Sequence, residues 1–199
     1  ILSKSHASFP FIIILKEKGF NPKFTTHLEL DIKNGIHCTT GSLGHGLPIS
    51  VGMALARKKT NKKGNVYVLI SDGECQEGTT WESFLIASKH NLNNLFVIID
   101  YNKIQALTAL NDALPLKSLA KKIKSFNLNC IEIKKGHNFT ELIKGFKKKY
   151  ANNKPTVLII HTTKGKGIKP FENDPSWHAK KVKGQDINIG LKHLNINNL

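Results

Sequence analysis

Four short runs of mostly apolar residues, rich in β-branched side chains, limit the folds open to this sequence more than any other feature. They cover residues 66–70, 95–99, 130–133 and 156–160. Three of them are apolar at almost every position, which is typical of strands buried on both faces of a parallel sheet. We therefore predict four strands that belong to one parallel sheet.

Segments with a helical spacing of apolar residues separate these runs. They cover residues 79–90, 116–126 and 139–150, and a further helix is predicted before the first strand at 47–59. Each of the first three is long enough for a right-handed crossover between parallel strands. The pattern predicts an α/β fold, namely an open doubly wound parallel sheet with helices on both faces. From Gly184 onward the sequence predicts either a final helix or a loose end.

The chain has no internal repeat, long linker or low-complexity segment, so we expect a single domain over residues 1–199. With 40% hydrophobic residues, a chain of this length can close a real core. The sequence begins with Ile1, inside what resembles a motif. We therefore expect the start of the natural chain to be missing, together with any targeting segment.

The net charge of +16 raises the question of nucleic-acid binding. The lysines come in scattered pairs and triplets, however, and no aromatic residues alternate with them to stack on bases. This distribution indicates that the lysines mainly form a solvated surface. A positive field that attracts anionic substrates is the second interpretation, and nucleic-acid binding is the third.

The cysteines and the longest apolar run bear on the compartment. Cys38, Cys75 and Cys130 form no C-x-x-C pair, which predicts neither a disulfide framework nor a zinc site. We expect all three to be small buried side chains in a reducing cytoplasm. The longest apolar run, 9–15, is much shorter than the roughly 20 residues that cross a bilayer, so no membrane association is expected.

Polar residues and glycines follow the predicted strands at the point where each strand ends. Asp72 and Gly73 follow the first strand, and Asn102 follows the second. Ligands of open parallel sheets bind beyond the carboxyl ends of the strands. A carboxylate and an amide oxygen at neighbouring strand ends can share one hard cation, Mg²⁺ or Ca²⁺, and glycine lets a phosphate approach the backbone. Alternatively, Asp72 and Gly73 form a turn that caps the next helix, and Asn102 is a turn residue.

Taken together, these residues resemble the thiamine-diphosphate motif, which begins Gly-Asp-Gly and ends in an asparagine about thirty positions later. Asn102 comes thirty positions after Asp72, and Ser71 replaces the first glycine. The following Glu-Cys-Gln-Glu-Gly at 74–78 is similar to transketolases, and especially to the short N-terminal subunits of split transketolases. The resemblance covers nearly the whole chain, from residue 2 to residue 178.

This resemblance implies a set of residues that bind the cofactor and its metal. The implied metal ligands are Asp72, Asn102 and the backbone carbonyl of Ile104. The residues implied to meet thiamine diphosphate itself are His6, Gly41, Leu43, Gly73, Asn102 and His178. Of these, Gly41 and Leu43 match the segment whose backbone meets the aminopyrimidine ring, and Gly73 and Asn102 would meet the diphosphate.

The resemblance also implies catalytic residues, which are His6, His27, Glu77 and His178. His6 lies in Leu-Ser-Lys-Ser-His-Ala, where Ser5 replaces a glycine of the motif, and His178 lies in Pro-Ser-Trp-His. His27 is a looser match, and Glu77 resembles a glutamate that couples two active sites across a dimer. Otherwise each histidine is a surface or capping residue, and Glu77 is a first-turn acid that the helix dipole favours.

A partner chain follows from the same resemblance. In this family the glutamate that protonates the aminopyrimidine, and most residues that grip the sugar phosphate, belong to a separate pyrimidine-binding domain. A second α/β domain does not fit into 199 residues. We therefore expect the partner to be a C-terminal transketolase subunit, in a heterotetramer of two small and two large chains.

The implied reaction is the transfer of a two-carbon ketol unit between sugar phosphates, as in the pentose phosphate pathway, with thiamine diphosphate as electron sink. One alternative is a related thiamine-diphosphate lyase or synthase, similar to the deoxyxylulose-phosphate synthases. Another is a non-catalytic scaffold that keeps the same fold.

Overall fold

A single parallel sheet forms the centre of the structure, a computed structural model that describes residues 1–148, 150 and 152–196. Its strands are β1 (Val66–Ser71), β2 (Leu95–Tyr101), β3 (Asn129–Ile133) and β4 (Thr156–His161). They lie side by side in the order β1-β2-β4-β3, and every pair is parallel. The four predicted strands and the parallel sheet are confirmed.

Helices connect the strands and flank them at both ends of the chain. They are α1 (Ser8–Glu17), α2 (Gly46–Lys59), α3 (Gly78–Lys89), α4 (Leu110–Ala113), α5 (Leu119–Ser125), α6 (Phe139–Lys147) and α7 (Gly184–His193). The last of these shows that the stretch from Gly184 onward begins as a helix. Positions 149 and 197–199, which belong to the predicted helix 139–150 and the predicted domain 1–199, lie outside the described residues.

Two predicted helix boundaries were wrong by a few residues. The helix predicted at 116–126 begins only at Leu119, because Ser118 before it takes a left-handed conformation with φ 57°. Pro115 also keeps the residue before it, Leu114, in an extended conformation. The helix predicted at 139–150 ends at Lys147, since Lys148 is already extended with ψ 119°.

Both faces of the sheet are covered, as a doubly wound fold requires. Alternate strand residues such as Val68, Val97 and Ile159 point to one face, where they pack with residues of α2, α3 and α5. The opposite face near β3 and β4 packs against Leu142 of α6. A smaller cluster built around Ile12 of α1 covers the β1 end of that second face. The predicted arrangement of helices on both faces is confirmed.

The N-terminal residues extend the sheet beyond β1. Leu2 forms a parallel bridge with Leu69, the Ser3 N–H donates to the Leu69 carbonyl (2.8 Å), and the Leu69 N–H donates to the Ile1 carbonyl (2.9 Å). The chain that leaves this edge runs in the same direction as β1. Residues just after Ser3, including His6, are therefore delivered to the carboxyl edge of the sheet.

The three cysteines differ in burial. Cys75 is buried in the main core, whereas Cys38 and Cys130 are only half-buried, and all three are free thiols. The expectation that all three are buried was wrong, because Cys38 lies in an irregular loop and Cys130 lies on the edge strand β3. Among the described residues, no helix is both long and apolar enough to cross a membrane.

Asn138 begins α6 and offers a small test of the fold. Its side-chain Oδ1 accepts a hydrogen bond from the Glu141 N–H (3.0 Å), which satisfies one of the free donors of the first turn. Asn138→Ala is expected to lower the free energy of unfolding by about 1 kcal/mol, measured by urea denaturation. The same change at Asn21, an exposed asparagine outside the helices whose backbone is not left-handed, is the control. Equal effects of both changes would contradict the capping role.

Candidate functional site

Asp72 and Asn102 lie at the carboxyl ends of the neighbouring strands β1 and β2. The Asp72 Oδ2 atom accepts a hydrogen bond from the Lys103 N–H (2.6 Å), and the Asn102 Oδ1 atom accepts one from the Ile104 N–H (2.9 Å). The carboxylate and the carboxamide thus bind consecutive backbone N–H groups of one loop. The structure therefore brings the three predicted metal ligands, Asp72, Asn102 and Ile104, together.

The loop that holds Asn102 and Ile104 has an unusual backbone. Lys103 takes a left-handed conformation with φ 65°, which is uncommon for a residue with a side chain. Its carbonyl accepts from the Leu110 N–H (2.8 Å), and this bond fixes the loop. Within the part of the chain that the structure describes, the Ile104 carbonyl accepts no hydrogen bond, so its lone pairs are available to a cation.

Asp72 is a buried acid without a positive partner. It is 2% exposed, and none of the described cationic side chains forms an ion pair with it. Burial raises the pKa of Asp72 to about 6, although the hydrogen bond from the Lys103 N–H acts against the rise. A divalent cation at this position would relieve the burial of the charge, and carboxylate, amide and carbonyl oxygens suit Mg²⁺ or Ca²⁺.

The donor set has a single carboxylate. No group of three or more His, Cys, Asp or Glu side chains that could hold a metal occurs among the described residues. A metal held by Asp72, Asn102 and the Ile104 carbonyl would therefore keep a net positive charge. Such a charge would attract a diphosphate, which several carboxylates would repel.

The turn after Asp72 distinguishes between the two interpretations of this residue. Residues 73–76 form a short 3-10 turn, and the Asp72 side chain makes no capping hydrogen bond to it. The alternative in which the Asp72 side chain caps the following turn is therefore wrong. Asn102 does form a local Asx turn, through its bond to the Ile104 N–H, and its Oδ1 atom keeps a second lone pair for a cation.

Gly73 has open space on the side where a side chain would project. A Cβ added there would meet its nearest neighbours, Gln105 Nε2 and Ser71 Oγ, only at 3.7 and 3.8 Å. These are ordinary contacts, and Gly73 does not have a left-handed backbone. None of the described residues therefore requires glycine at this position, and the open side of Gly73 leaves room for a ligand.

A buried ion pair lies directly beside these residues. The Lys4 ammonium, whose residue is only 6% exposed, donates to the carboxylate of Asp100 at the end of β2, and Thr162 after β4 donates to the other oxygen. Burial raises the pKa of Asp100, but the charge and hydrogen bond of Lys4 outweigh it and hold that pKa below its ordinary value. The pair joins the N-terminal segment to the sheet. Our sequence analysis gave neither residue a role, although Lys4 lies inside the motif around His6.

His6 and His178 come together from opposite ends of the chain. Their ring centroids are 4.9 Å apart, and the Lys164 Nζ atom lies 3.1 Å from Nδ1 of His178. Removal of water lowers the pKa of His6 to about 4, and the charge of Lys4 acts in the same direction. Burial, followed by the charge of Lys164, also lowers the pKa of His178. Both rings are therefore neutral at pH 7.

Lys164 was overlooked as a site residue. It lies in the glycine-rich stretch after β4, which the sequence places at the active edge without assigning the lysine a partner. A protonated lysine can only donate hydrogen bonds, so Nδ1 of His178 must accept and the ring proton must be on Nε2. His178 therefore presents an N–H group on the side away from Lys164.

His27 packs against the segment that contains Gly41 and Leu43. Gly41 has φ 137°, and a Cβ added to it would lie 2.3 Å from Cδ2 of His27. The neighbouring Leu28 N–H donates to the Ser5 Oγ atom (2.6 Å), which ties this segment to the residue before His6. The structure therefore places His27, Gly41 and Leu43 beside the His6 segment, and the serine that replaces a motif glycine forms part of the tie.

Glu77 is placed apart from the histidines. It is the exposed residue before α3, and its side chain makes no hydrogen bond to the turn that follows. A Cβ added to Gly44 would lie 2.8 Å from the Cβ of Glu77, so the glycine-rich segment passes directly beside it. An exposed acid of this kind is free to contact a second chain.

Glu74 joins three segments of the fold, a role that the sequence did not predict. It is fully buried, and its carboxylate accepts from the Ser3 hydroxyl, the Gly44 N–H (3.2 Å) and the Ser71 N–H (2.9 Å). These bonds connect the N-terminal segment, the glycine-rich segment and the end of β1. The signal in the sequence was an acid close to the end of a buried strand, but its partners are up to 71 positions away.

Comparison with known proteins agrees with this arrangement. The family described as "Transketolase, thiamine diphosphate binding domain" matches residues 13–198. The transketolase of Campylobacter jejuni has a similar fold, with a TM-score of 0.86 and 25% sequence identity over 98% of this chain and 34% of that chain.

Two curated relatives are subunits of transketolases. One subunit of the apulose-4-phosphate transketolase of Actinobacillus succinogenes is 36% identical over 206 residues, which cover 98% of this chain and 74% of the relative. The 6-deoxy-6-sulfo-D-fructose transketolase subunit SqwG of a Clostridium species is 32% identical over 92% of this chain and 70% of the relative. The chain therefore belongs to the transketolase family, among the thiamine-diphosphate-binding N-terminal subunits of split transketolases.

Proposed function

We propose that this chain binds thiamine diphosphate through Mg²⁺ and, with a C-terminal partner subunit, transfers a two-carbon ketol unit between sugar phosphates. The observation that carries the proposal is the meeting of the Asp72 and Asn102 oxygens on consecutive N–H groups of one loop. Free thiols and the absence of a spanning helix among the described residues fit a cytoplasmic enzyme.

Different residues around this loop would bind different parts of the cofactor. Asp72, Asn102 and the Ile104 carbonyl would hold Mg²⁺. The open space beside Gly73 would take the diphosphate, which Asn102 would also meet. At the far end, the backbone of Gly41 and Leu43 would meet the aminopyrimidine ring.

The histidines would act on the sugar. Bound thiamine diphosphate supplies the electron sink that makes cleavage of a ketose carbon–carbon bond feasible. His178, with its proton on Nε2, can donate a hydrogen bond to a sugar oxygen and so move a proton as a general acid. Neutral His6, with its ring centroid 4.9 Å from that of His178, can accept a proton, and His27, which lies beside Gly41, would act with them.

The partner would complete the site. The relatives are subunits of split enzymes, and this chain spans only 34% of the single-chain transketolase of Campylobacter jejuni. We propose a heterotetramer of two small and two large subunits, in which the partner supplies the pyrimidine-binding domain. Exposed Glu77 would contact the second copy and couple the two active sites.

Calorimetric titration tests this proposal. The chain is titrated with thiamine diphosphate in the presence of Mg²⁺ and then in excess chelator, both alone and with a co-expressed partner subunit. We expect Mg²⁺-dependent binding in both preparations and ketol transfer only in the assembled one. Cofactor binding that ignores Mg²⁺, or salt-sensitive RNA binding without cofactor binding, would show that the chain is a scaffold instead.

A further inference from the structure

A contact between aromatic rings in the loop after β4 takes no part in the proposed function. Trp177, the residue before His178, packs on Phe171 with ring centroids 3.7 Å apart. The Lys180 Nζ atom lies 3.9 Å from the centroid of the Trp177 ring, and it also pairs with the carboxylate of Asp186 (3.3 Å). Ring–ring and cation–ring contacts of this kind are each favourable. The indole ring of Trp177 is therefore fixed by two neighbours in the same stretch of chain.

These contacts belong to the loop and not to the core of the sheet. Among the described residues, neither Phe171 nor Trp177 is part of the hydrophobic clusters that pack on the strands. Both side chains are half-buried. We therefore expect the sheet and its helices to form without the Trp177 ring, so the role of this residue can be tested in a folded chain.

The glycine-rich stretch after β4 brings Phe171 back toward Lys164. Gly165 has a left-handed backbone with φ 75°, and a Cβ added to it would lie 2.4 Å from the carbonyl oxygen of Phe171. Only glycine therefore allows this close approach. The Asn173 N–H donates to the Lys164 carbonyl (3.0 Å), which closes the loop. Phe171 and Lys164 are thus fixed in one compact loop.

The turn that carries Trp177 and His178 is fixed at its start. It covers residues 175–178, and the Asp174 Oδ1 atom accepts a hydrogen bond from the Ser176 N–H (2.9 Å). The Asp174 carbonyl accepts from the Trp177 N–H (3.3 Å). With the backbone held at these two points, the direction of the Trp177 ring and that of the His178 ring are linked through one peptide unit.

We propose that Trp177 is a positioning residue that holds the ring of His178 in contact with Lys164. This proposal rests on the proposed function, in which the N–H group at Nε2 of His178 faces a sugar oxygen. The Lys164 Nζ atom lies 3.1 Å from Nδ1 of His178, a distance at which a shift of about 1 Å ends the hydrogen bond. Without the Trp177 ring, the turn would be free to make that shift, and the Nε2–H group would turn away from the sugar.

A double-mutant cycle tests whether Trp177 acts through His178. In the assembled enzyme, Trp177→Ala is expected to lower kcat about tenfold, because a displacement of roughly 1 Å in an active-site group can cost as much as about a hundredfold. In a chain that already carries His178→Ala, the same change should alter kcat by less than about twofold, whereas a purely structural contact would weaken both chains by the same factor.

Two single variants complete the cycle. Trp177→Phe keeps an aromatic ring beside Phe171 and should keep kcat within about threefold of the wild type. Phe139→Ala removes an exposed aromatic side chain at the start of α6, far from this loop in sequence, and should leave kcat unchanged.

Backbone order parameters, measured by NMR on the full chain without its partner, test the restraint independently of catalysis. For the turn at 175–178, we expect a fall from about 0.85 in the wild type to below about 0.6 in Trp177→Ala, and no fall in Phe139→Ala. If Trp177→Ala does not fold, Phe171→Leu takes its place in both measurements, because it removes the same ring contact and keeps an apolar side chain. The same results are expected from it.

Three outcomes would overturn the proposal. They are wild-type kcat in Trp177→Ala, an equal loss of kcat with and without the His178 side chain, and unchanged order parameters of the turn. An assembled wild-type enzyme that transfers no ketol unit would refute the proposed function instead. The order parameters would then still decide whether Trp177 restrains the turn.

Discussion

Replacing Asp72 by asparagine is expected to weaken Mg²⁺-dependent binding of thiamine diphosphate by about a hundredfold or more. The loss should exceed the tenfold to hundredfold effects that are usual for residues that only support a metal ligand, because Asp72 is the single carboxylate of the proposed donor set. The substitution keeps the shape of the side chain, removes its charge and replaces one carboxylate oxygen by an amide NH₂ group. Calorimetric titration with cofactor and Mg²⁺ measures the loss, and Asp112→Asn, at an exposed aspartate, is the matched control.

Unfolding does not explain this expected loss, because Asp72→Asn should stabilise the metal-free chain. Burial raises the pKa of Asp72 from 3.8 to about 6, so the folded chain holds the proton more tightly than the unfolded chain does. The stability of the wild type relative to Asp72→Asn should therefore fall as the pH rises from about 4 through 6, by up to about 3 kcal/mol. Urea denaturation of both chains without metal measures this difference at each pH. A variant that is less stable than the wild type at pH 7.5 would contradict the account.

Replacing His178 by alanine is expected to lower kcat of the assembled enzyme by about a hundredfold to a thousandfold, with a much smaller loss of cofactor affinity. The size follows from loss of a general acid, which typically contributes a factor of about 10² to 10⁴. Among the described residues, the hydrogen bond and ring contact of His178 involve Lys164 and His6, and neither involves Asp72 or the loop at Asn102. Steady-state kinetics measure kcat, and titration with thiamine diphosphate measures cofactor affinity.

His193→Ala, at an exposed residue of α7, is the control for this prediction and should leave kcat unchanged.

The lowered pKa values of His6 and His178 also predict how activity depends on pH. Since both pKa values lie below the ordinary value for histidine, protonation of the two rings should reduce wild-type activity only under acidic conditions. Loss of cofactor affinity in His178→Ala, with turnover preserved, would refute the assignment.

The sequence predicted the sheet well because its signal is local. Three of the four strands are nearly continuous apolar runs, and the helical segments between the runs predict crossover connections between parallel strands. The start of α5 and the end of α6 were misplaced because a single residue decided each boundary. Ser118 adopts a left-handed backbone before α5, and Lys148 turns extended after α6, and neither is a residue type that marks such a change in sequence.

The candidate site was predictable only where its residues follow strands. Asp72 and Asn102 could be placed from strand ends, whereas the pairs Lys4–Asp100 and Ser3–Glu74 join positions 96 and 71 residues apart. Such pairs depend on the added edge next to β1, which rests on a single parallel bridge between Leu2 and Leu69 and has no strand-length apolar pattern. The spacing of apolar residues in the sequence does not predict such long-range polar pairs.

The most direct test of the account is a crystal structure of the chain with thiamine diphosphate and Mn²⁺ in place of Mg²⁺, in which anomalous scattering locates the ion. We predict one ion with the carboxylate oxygen of Asp72, the amide oxygen of Asn102 and the Ile104 carbonyl each within about 2.0–2.3 Å, and with the diphosphate on the same ion. An ion bound by only one of the two side chains, or bound elsewhere in the chain, would contradict the account.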